Sequence, residues 1–200
     1  INMDEKSNVM FSSKGGVLAG IFIAIGGTVY LTVEVKALGA CLFALGLLTV
    51  ILQKYSLFTG KIGYVSQKAD ALPLALMLIK NIIGAEAVGT VSSTLVAANA
   101  AALVKSKLAK TLPDVFIAAV FCGILIYAAV ELFSKNRHPL LVIMPIMIFI
   151  LCGFEHCVAD AFYFAAAGIF NLRALVFMLV CIAGNAVGSI AVRLAERFGV

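Results

Sequence analysis

The sequence predicts an all-α membrane protein whose six transmembrane helices form a 3+3 inverted repeat, with helices 2 and 5 broken. Three observations predict it. Apolar residues make up 63% of the 200 positions and charged residues only 12%, with a mean hydropathy of +1.12, far outside the range of ordinary soluble domains. Uncharged runs recur along the chain, several approaching the ~20 residues that a helix needs to cross about 30 Å of hydrocarbon. Two of the spans are interrupted by polar residues at corresponding places. The runs are long and continuously apolar, which favours helices over the alternating strands of a transmembrane barrel.

The first span covers residues 15–33; it is longer than a secretory h-region and no A-x-A-like site follows it, so it is read as a retained helix. The second, 37–53, runs into the polar stretch Gln53-Lys54-Tyr55-Ser56-Leu57-Phe58-Thr59-Gly60-Lys61-Ile62-Gly63. The third, 71–104, carries Lys80 and Glu86. The fourth, 115–130, ends at Glu131 and Lys135, whose i,i+4 spacing suits an interfacial ion pair. The fifth comprises 139–154 and 157–172 on either side of Gly153-Phe154-Glu155-His156-Cys157-Val158-Ala159-Asp160, with Pro145 expected to kink the approach. The sixth is 174–192. The loops are short, so residues 1–200 form one domain, with a first repeat at about 15–104 and a second at about 112–198.

Each half has an odd number of spans, which gives the halves opposite topology in the membrane. The spans after each break share N-x-x-G, as Asn81-Ile82-Ile83-Gly84 and Asn185-Ala186-Val187-Gly188, and spans one and four share Phe22-Ile23-Ala24 and Phe116-Ile117-Ala118. A break at membrane depth frees backbone N–H and C=O groups that lipid cannot satisfy, so the broken segments must face protein or a water-filled cavity. Helix N-termini at such breaks attract anions.

The net charge of +5 comes from cations that flank the spans rather than forming a long basic run, which excludes nucleic-acid binding and suits attraction of small anions to pore mouths. Seven cations (Lys6, Lys14, Lys68, Lys135, Arg137, Arg193, Arg197) fall on the side of the two termini, against five (Lys36, Lys105, Lys107, Lys110, Arg173) on the other. This bias places both termini in the cytoplasm, as expected of a multi-pass protein of the cytoplasmic membrane. Five cysteines without ligand-like spacing argue against a disulfide framework or a zinc site.

Three motifs carry a resemblance. Residues 153–160 resemble the G-[FY]-E-H-x-[VI]-A-[ND] signature of the formate/nitrite transporter family, whose members conduct formate, nitrite or hydrosulfide. Leu57-Phe58-Thr59-Gly60 is similar to that family's L-F-T-[GS] loop, and Gly184-Asn185-Ala186-Val187-Gly188 to its G-N-x-x-G. The resemblance implies an aquaporin-like inverted repeat, a homopentamer with one pore in each protomer, and no cofactor. It implies His156, Thr59, Asn185 and Leu57 as pore residues, and a constriction formed by Phe43, Leu47 and Phe149. It also implies a basic residue between spans three and four, a place for which Lys105, Lys107 and Lys110 compete. Departures are Asp160 in place of asparagine, the lysines Lys54 and Lys61 around the loop, Lys80 before Asn81, and an N-terminal amphipathic segment that is short or absent in this sequence.

The chemistry fits a channel for small monovalent anions. An ion at the bilayer centre is costly, and an anion that takes up a proton from His156 evades part of that cost. The rival mechanism keeps His156 neutral and lets hydrogen-bond donors and basic vestibules carry the anion. Glu155 is read as structural or at a protomer interface, and Asp160 as orienting His156 or bonding the broken backbone. Alternatives from other classes are an aquaporin-like neutral-solute channel, for which N-P-A is missing, and an intramembrane enzyme using Glu155 and His156. The enzyme lacks a metal set, because H-E-x-x-H is absent and His138 sits beside Pro139.

Overall fold

The computed structural model describes residues 14–199, and it is helical throughout. Lys6, counted above in the charge bias, lies outside the described residues. In chain order the helices are α1 (Gly16–Thr32), α2 (Lys36–Leu52), α3 (Phe58–Lys61), α4 (Ala71–Ala109), α5 (Leu112–Asn136), α6 (Leu140–Leu151), α7 (Cys157–Ala166) and α8 (Leu172–Arg197). Short 3-10 turns at Ile62–Tyr64 and Lys68–Asp70 link α3 to α4.

Three helices, Lys68–Ala109 with its leading turn, Leu112–Asn136 and Leu172–Arg197, are long and apolar enough to cross a membrane; α1, α2, α6 and α7 are apolar but shorter. Helix α4 continues without interruption through Lys80 and Glu86. The uncharged run 157–172 is only partly helical: α7 stops at Ala166, and Gly168 turns the chain at a φ of 65°. Large apolar side chains such as Val91, Leu95 and Leu179 are more than half exposed, the surface of a protein solvated by lipid or by further protein rather than by water.

Helix α1 packs on α4 and α5 on α8, while α2 meets α6 and α4 meets α7. The first two contacts are backbone-close. A Cβ at Gly20 would lie 2.0 Å from the Asn81 carbonyl oxygen, and one at Gly123 would lie 2.2 Å from that of Asn185. The reverse contacts match: Gly84 would meet the Val17 carbonyl oxygen at 2.1 Å and Gly188 that of Val120 at 2.1 Å. Without hydrophobic driving force in lipid, this small-residue packing is what holds such helices together.

Helix starts are capped by residues that compete poorly inside helices but bond well at their ends. Thr111 accepts from Asp114 N at the start of α5, and Asn171 accepts from Ala174 N at the start of α8. Asp70 accepts from Ser66 N and Gln67 N ahead of α4.

Candidate functional site

Helices α2 and α6 stop in the same way. After α2, Tyr55 N donates to Val50 O at 2.9 Å and Lys54 N to Ile51 O at 3.1 Å; after α6, Phe154 N donates to Phe149 O at 2.9 Å and Gly153 N to Ile150 O at 3.1 Å. This pair of bonds is the Schellman motif, whose pivot residue takes a left-handed conformation. Gly153 has a φ of 68°, natural for glycine, whereas Lys54 occupies the equivalent pivot at 56°. A side chain there is disfavoured by about 1–2 kcal/mol.

After a gap of five residues in each case the chain re-enters a helix, and an asparagine from a long helix holds the gap. Asn81 Oδ1 accepts from Phe58 N at 2.8 Å, and its Nδ2 donates to Ser56 O at 2.9 Å and Gly16 O at 2.8 Å. Asn185 Oδ1 accepts from Cys157 N at 3.0 Å, and its Nδ2 donates to Glu155 O at 2.8 Å and Ala119 O at 2.9 Å. Both amides are fully buried, and every polar atom is committed to backbone. Asn185, expected to contact substrate, is therefore engaged in holding the break open, and a substrate contact would have to displace one of these bonds. The trace of that role in the sequence is the recurrence of the asparagine at Asn81.

His156 and Thr59 meet between the two re-entrant helices. The Nε2 of His156 lies 2.9 Å from Thr59 Oγ1, and its Nδ1 accepts from Ala159 N at 3.1 Å, capping α7. An Nδ1 that accepts cannot carry hydrogen, so the neutral ring holds its proton on Nε2 and donates to Thr59. Thr59 then keeps its own hydroxyl proton to offer elsewhere. Both side chains are buried.

The apolar expectations cluster around this pair. Phe149 stacks on the His156 ring with centroids 5.8 Å apart, and Phe43 meets Phe149 edge-on at 6.0 Å. Phe43, Leu47, Leu57 and Phe149 are all buried. A cavity of about 40 Å³, lined by His156 and Phe149 with Lys107, Asp160 and Tyr163, lies on one side. Another of about 150 Å³, lined by Leu47, Leu57, Lys54 and Lys61, lies on the other. Tyr30 lines the first, while Gly15 abuts the Tyr55 ring at the second. The two thus open toward opposite ends of α1.

Of the three candidate vestibule lysines, the structure brings two to the break. Lys107 is buried; its Nζ pairs with Glu155 Oε2 and lies 2.8 Å from Asp160 Oδ1, and it also sits 5.5 Å over the Tyr163 ring. Lys110 Nζ reaches Glu155 Oε1 at 2.6 Å and Gly153 O at 2.7 Å. Lys105 is exposed and makes none of these contacts. Two ammonium groups here face two carboxylates, so this mouth is balanced rather than basic.

The roles expected of the acids change accordingly. Glu155 is wholly buried inside its own chain and ion-paired, not at a protomer surface. Asp160 neither orients His156 nor bonds the broken backbone through its carboxylate; it pairs with Lys107 and accepts from the Cys181 thiol at 3.4 Å. Glu155 and His156 hydrogen-bond different partners, Glu155 the two lysines and His156 the Thr59 hydroxyl. The predicted pair Glu131–Lys135 is present at 3.1 Å, with Tyr64 donating to the same carboxylate.

Helices long and apolar enough to cross a membrane, packed around a buried polar pair, define an integral membrane protein. The chain belongs to the formate/nitrite transporter family, whose model matches residues 5–196. It is 26% identical over 182 residues to the formate channel FocA of Haemophilus influenzae, covering 76% of this chain and 64% of that one. Similarity to the uncharacterized transporter YrhG of Bacillus subtilis is 29% over 183 residues, covering 76% and 69%. The chain thus spans less than two thirds of the Haemophilus relative. Among solved structures, the fold matches a pentameric formate channel with formate bound at a TM-score of 0.80 and 22% identity, covering 99% of this chain and 98% of that one. It matches an FNT family ion channel at 0.84 and 19% identity, covering 96% and 90%.

Proposed function

We propose that this chain conducts small monovalent anions of the formate, nitrite and hydrosulfide class across the cytoplasmic membrane, through a pore that passes the His156–Thr59 pair. The observation that carries the reading is that hydrogen bond, made in a buried place between two interrupted helices and walled by Phe43, Leu47, Leu57 and Phe149. The Thr59 hydroxyl is a neutral donor for the anion, aimed outward because His156 occupies its oxygen. The aromatic and leucine side chains exclude hydrated ions, and the dehydrated anion is met by donors instead of charge.

The architecture we infer has six spans, with α2–α3 and α6–α7 as the two broken ones and residues 15–104 and 112–198 as inverted, aquaporin-like repeats. Its support is the recurrence of the same geometry in both halves: the Schellman stops, the asparagine clamps, and the glycine contacts of α1 with α4 and of α5 with α8. The exposed apolar flanks suit lipid and neighbouring copies, and the likeness to a pentameric channel supports a homopentamer. Both termini lie in the cytoplasm on the charge bias.

The hydrogen-bond pattern weighs on how the anion passes. A neutral His156 that protonated an anion through Thr59 would be left as imidazolate, so proton donation requires a second proton at Nδ1. That proton would break the cap on Ala159 N. Passage by hydrogen bonding alone disturbs nothing. Uptake of formate, nitrite and hydrosulfide into proteoliposomes, with internal pH followed by a trapped dye, tests the proposal: flux lost in Thr59→Val and in His156→Ala is expected. Flux unchanged in both would remove the pair from the pathway, and proton co-movement in native protein would favour passage as the neutral acid over passage by hydrogen bonding alone.

A further inference from the structure

The cavity of about 40 Å³ beside His156 has a carboxylate in its wall as well as the imidazole. Asp160 is fully buried, and its Oδ2 accepts only from the Cys181 thiol at 3.4 Å. Its Oδ1 has no hydrogen-bond partner among the described residues, although Lys107 Nζ lies 2.8 Å away and is shared with Glu155. Glu155 is held more firmly: Lys107 bonds one of its oxygens and Lys110 the other, the latter at 2.6 Å. The remaining groups near Asp160 are Cys157 and Tyr163 on its own helix, Cys122 on α5, Cys181 on α8, Tyr30 on α1 across the cavity, and His156. Ordinary thiols and phenols are uncharged near neutrality, and the cap on Ala159 N keeps His156 neutral. The charge of this cavity is therefore two lysines against two carboxylates, which cancel.

An anion entering the cavity upsets that balance. It adds negative charge beside two buried carboxylates, where charges repel far more strongly than in water. We infer that Asp160 is the proton-binding residue of the passage, taking up a proton as the anion arrives and handing it to the anion at Phe149. Of the two carboxylates, Asp160 has the oxygen without a hydrogen bond and only a shared cation, so it loses least on protonation; a proton on Glu155 would displace Lys110 or Lys107. The exchange balances. An O–H bond breaks at Asp160 and one forms on the anion, the carboxylate regains Lys107, and the neutral acid continues past His156. Beyond the constriction the acid releases its proton to water, so a proton and an anion cross together. The cavity holds a formate or nitrite ion, since one water needs only ~10–15 Å³ measured this way. This route supplies the proton that His156 could give only by breaking its cap on Ala159 N. It rests on the transport reading for its purpose but not for its detection.

The test uses the full chain with formate as the probe. In weakly buffered detergent solution with a pH indicator, native protein is expected to take up one proton for each formate bound, and Asp160→Asn to bind formate with no proton uptake. In proteoliposomes the native protein carries a proton inward with each formate. Uptake by Asp160→Asn instead carries net charge and responds to a potassium–valinomycin potential that leaves the native flux unmoved. A residue with a merely structural task would change the amount of flux and not its proton stoichiometry. Where Asp160→Asn does not fold, native protein labelled with ¹³C at the aspartate side-chain carboxyl decides: formate induces a protonated-carboxyl infrared band, and the label shifts it. No proton uptake by native protein, uptake retained in Asp160→Asn, or a band that the label leaves in place overturns the inference. Formate flux without proton uptake keeps transport and removes Asp160 from it. Proton uptake lost in Asp160→Asn, in a protein that moves no formate, nitrite or hydrosulfide, keeps the proton site and sinks the transport reading instead.

Discussion

Replacing Asn185 by alanine removes three hydrogen bonds from a site with no access to water. Two of the groups left behind matter most. Cys157 N opens α7 and the Glu155 carbonyl lies in the gap before it, so neither has a helical partner to fall back on; Ala119 lies within α5, where its carbonyl also serves the helix. Each buried group deprived of its partner costs about 1–3 kcal/mol, giving a total of about 2–6 kcal/mol. For a chain of this size that corresponds to a fall in Tm on the order of 5–20 °C. A thiol-reactive fluorophore reads the melt directly, because Cys122, Cys157 and Cys181 are buried until the bundle opens, and Cys152 adds a constant background. Asn81→Ala should lower Tm by a similar amount, since it releases Phe58 N and Ser56 O in the same manner. The reasoning is refuted if Asn185→Ala melts within a degree or two of native protein while its half-saturating formate concentration climbs, the behaviour of a residue whose task is to touch substrate.

Three further outcomes follow from the same geometry. Thr59→Val keeps the shape and deletes the donor; a hydrogen bond to a charged partner contributes about 1.5–3 kcal/mol, so formate uptake should drop by about 10–150-fold, with Thr59→Ser restoring most of it. Lys107→Met strands Asp160 as a buried carboxylate and leaves Glu155 to Lys110 alone, and should destabilise by about 3–5 kcal/mol in the same thiol melt, with part recovered on adding Asp160→Asn; no recovery would mean that Lys107 acts through packing on Tyr163 instead. Lys54→Gly relieves a left-handed side chain and should raise stability by about 0.5–1 kcal/mol, an increase that an unstrained pivot would not give.

Helix positions were largely legible because apolar runs end where charge begins. The expected first and second spans, 15–33 and 37–53, match α1 and α2 to within a residue at each end, and α4 carries on through Lys80 and Glu86 as predicted. Less legible was the end of α7, where the uncharged 167–172 gave no compositional signal and only Gly168 marked the turn. Within the site, motif and spacing led to His156 and Thr59 but not to their tautomeric arrangement, which depends on a backbone N–H three residues along. Three lysines in six residues competed for one role, and sequence distance offered no way to choose. A signal was nonetheless available, since two carboxylates in an apolar motif require two cations, and only a lysine at the inner face of α4 could supply the buried one. Lys54 as a pivot could be seen only by laying one break on the other, opposite Gly153.

The glycine crossings bear on how such a conduit could open. Where Gly20 and Gly84 bring α1 onto α4, and Gly123 and Gly188 bring α5 onto α8, main chain rests on main chain with no flexible layer between. Sliding or rolling at these seams would drive carbonyl oxygens into neighbouring backbone within a fraction of an ångström. Each long helix and its partner therefore travel as one stiff plank, and changes in bore width fall to the rotamers of Phe43, Leu47 and Phe149, which can turn without moving the helices.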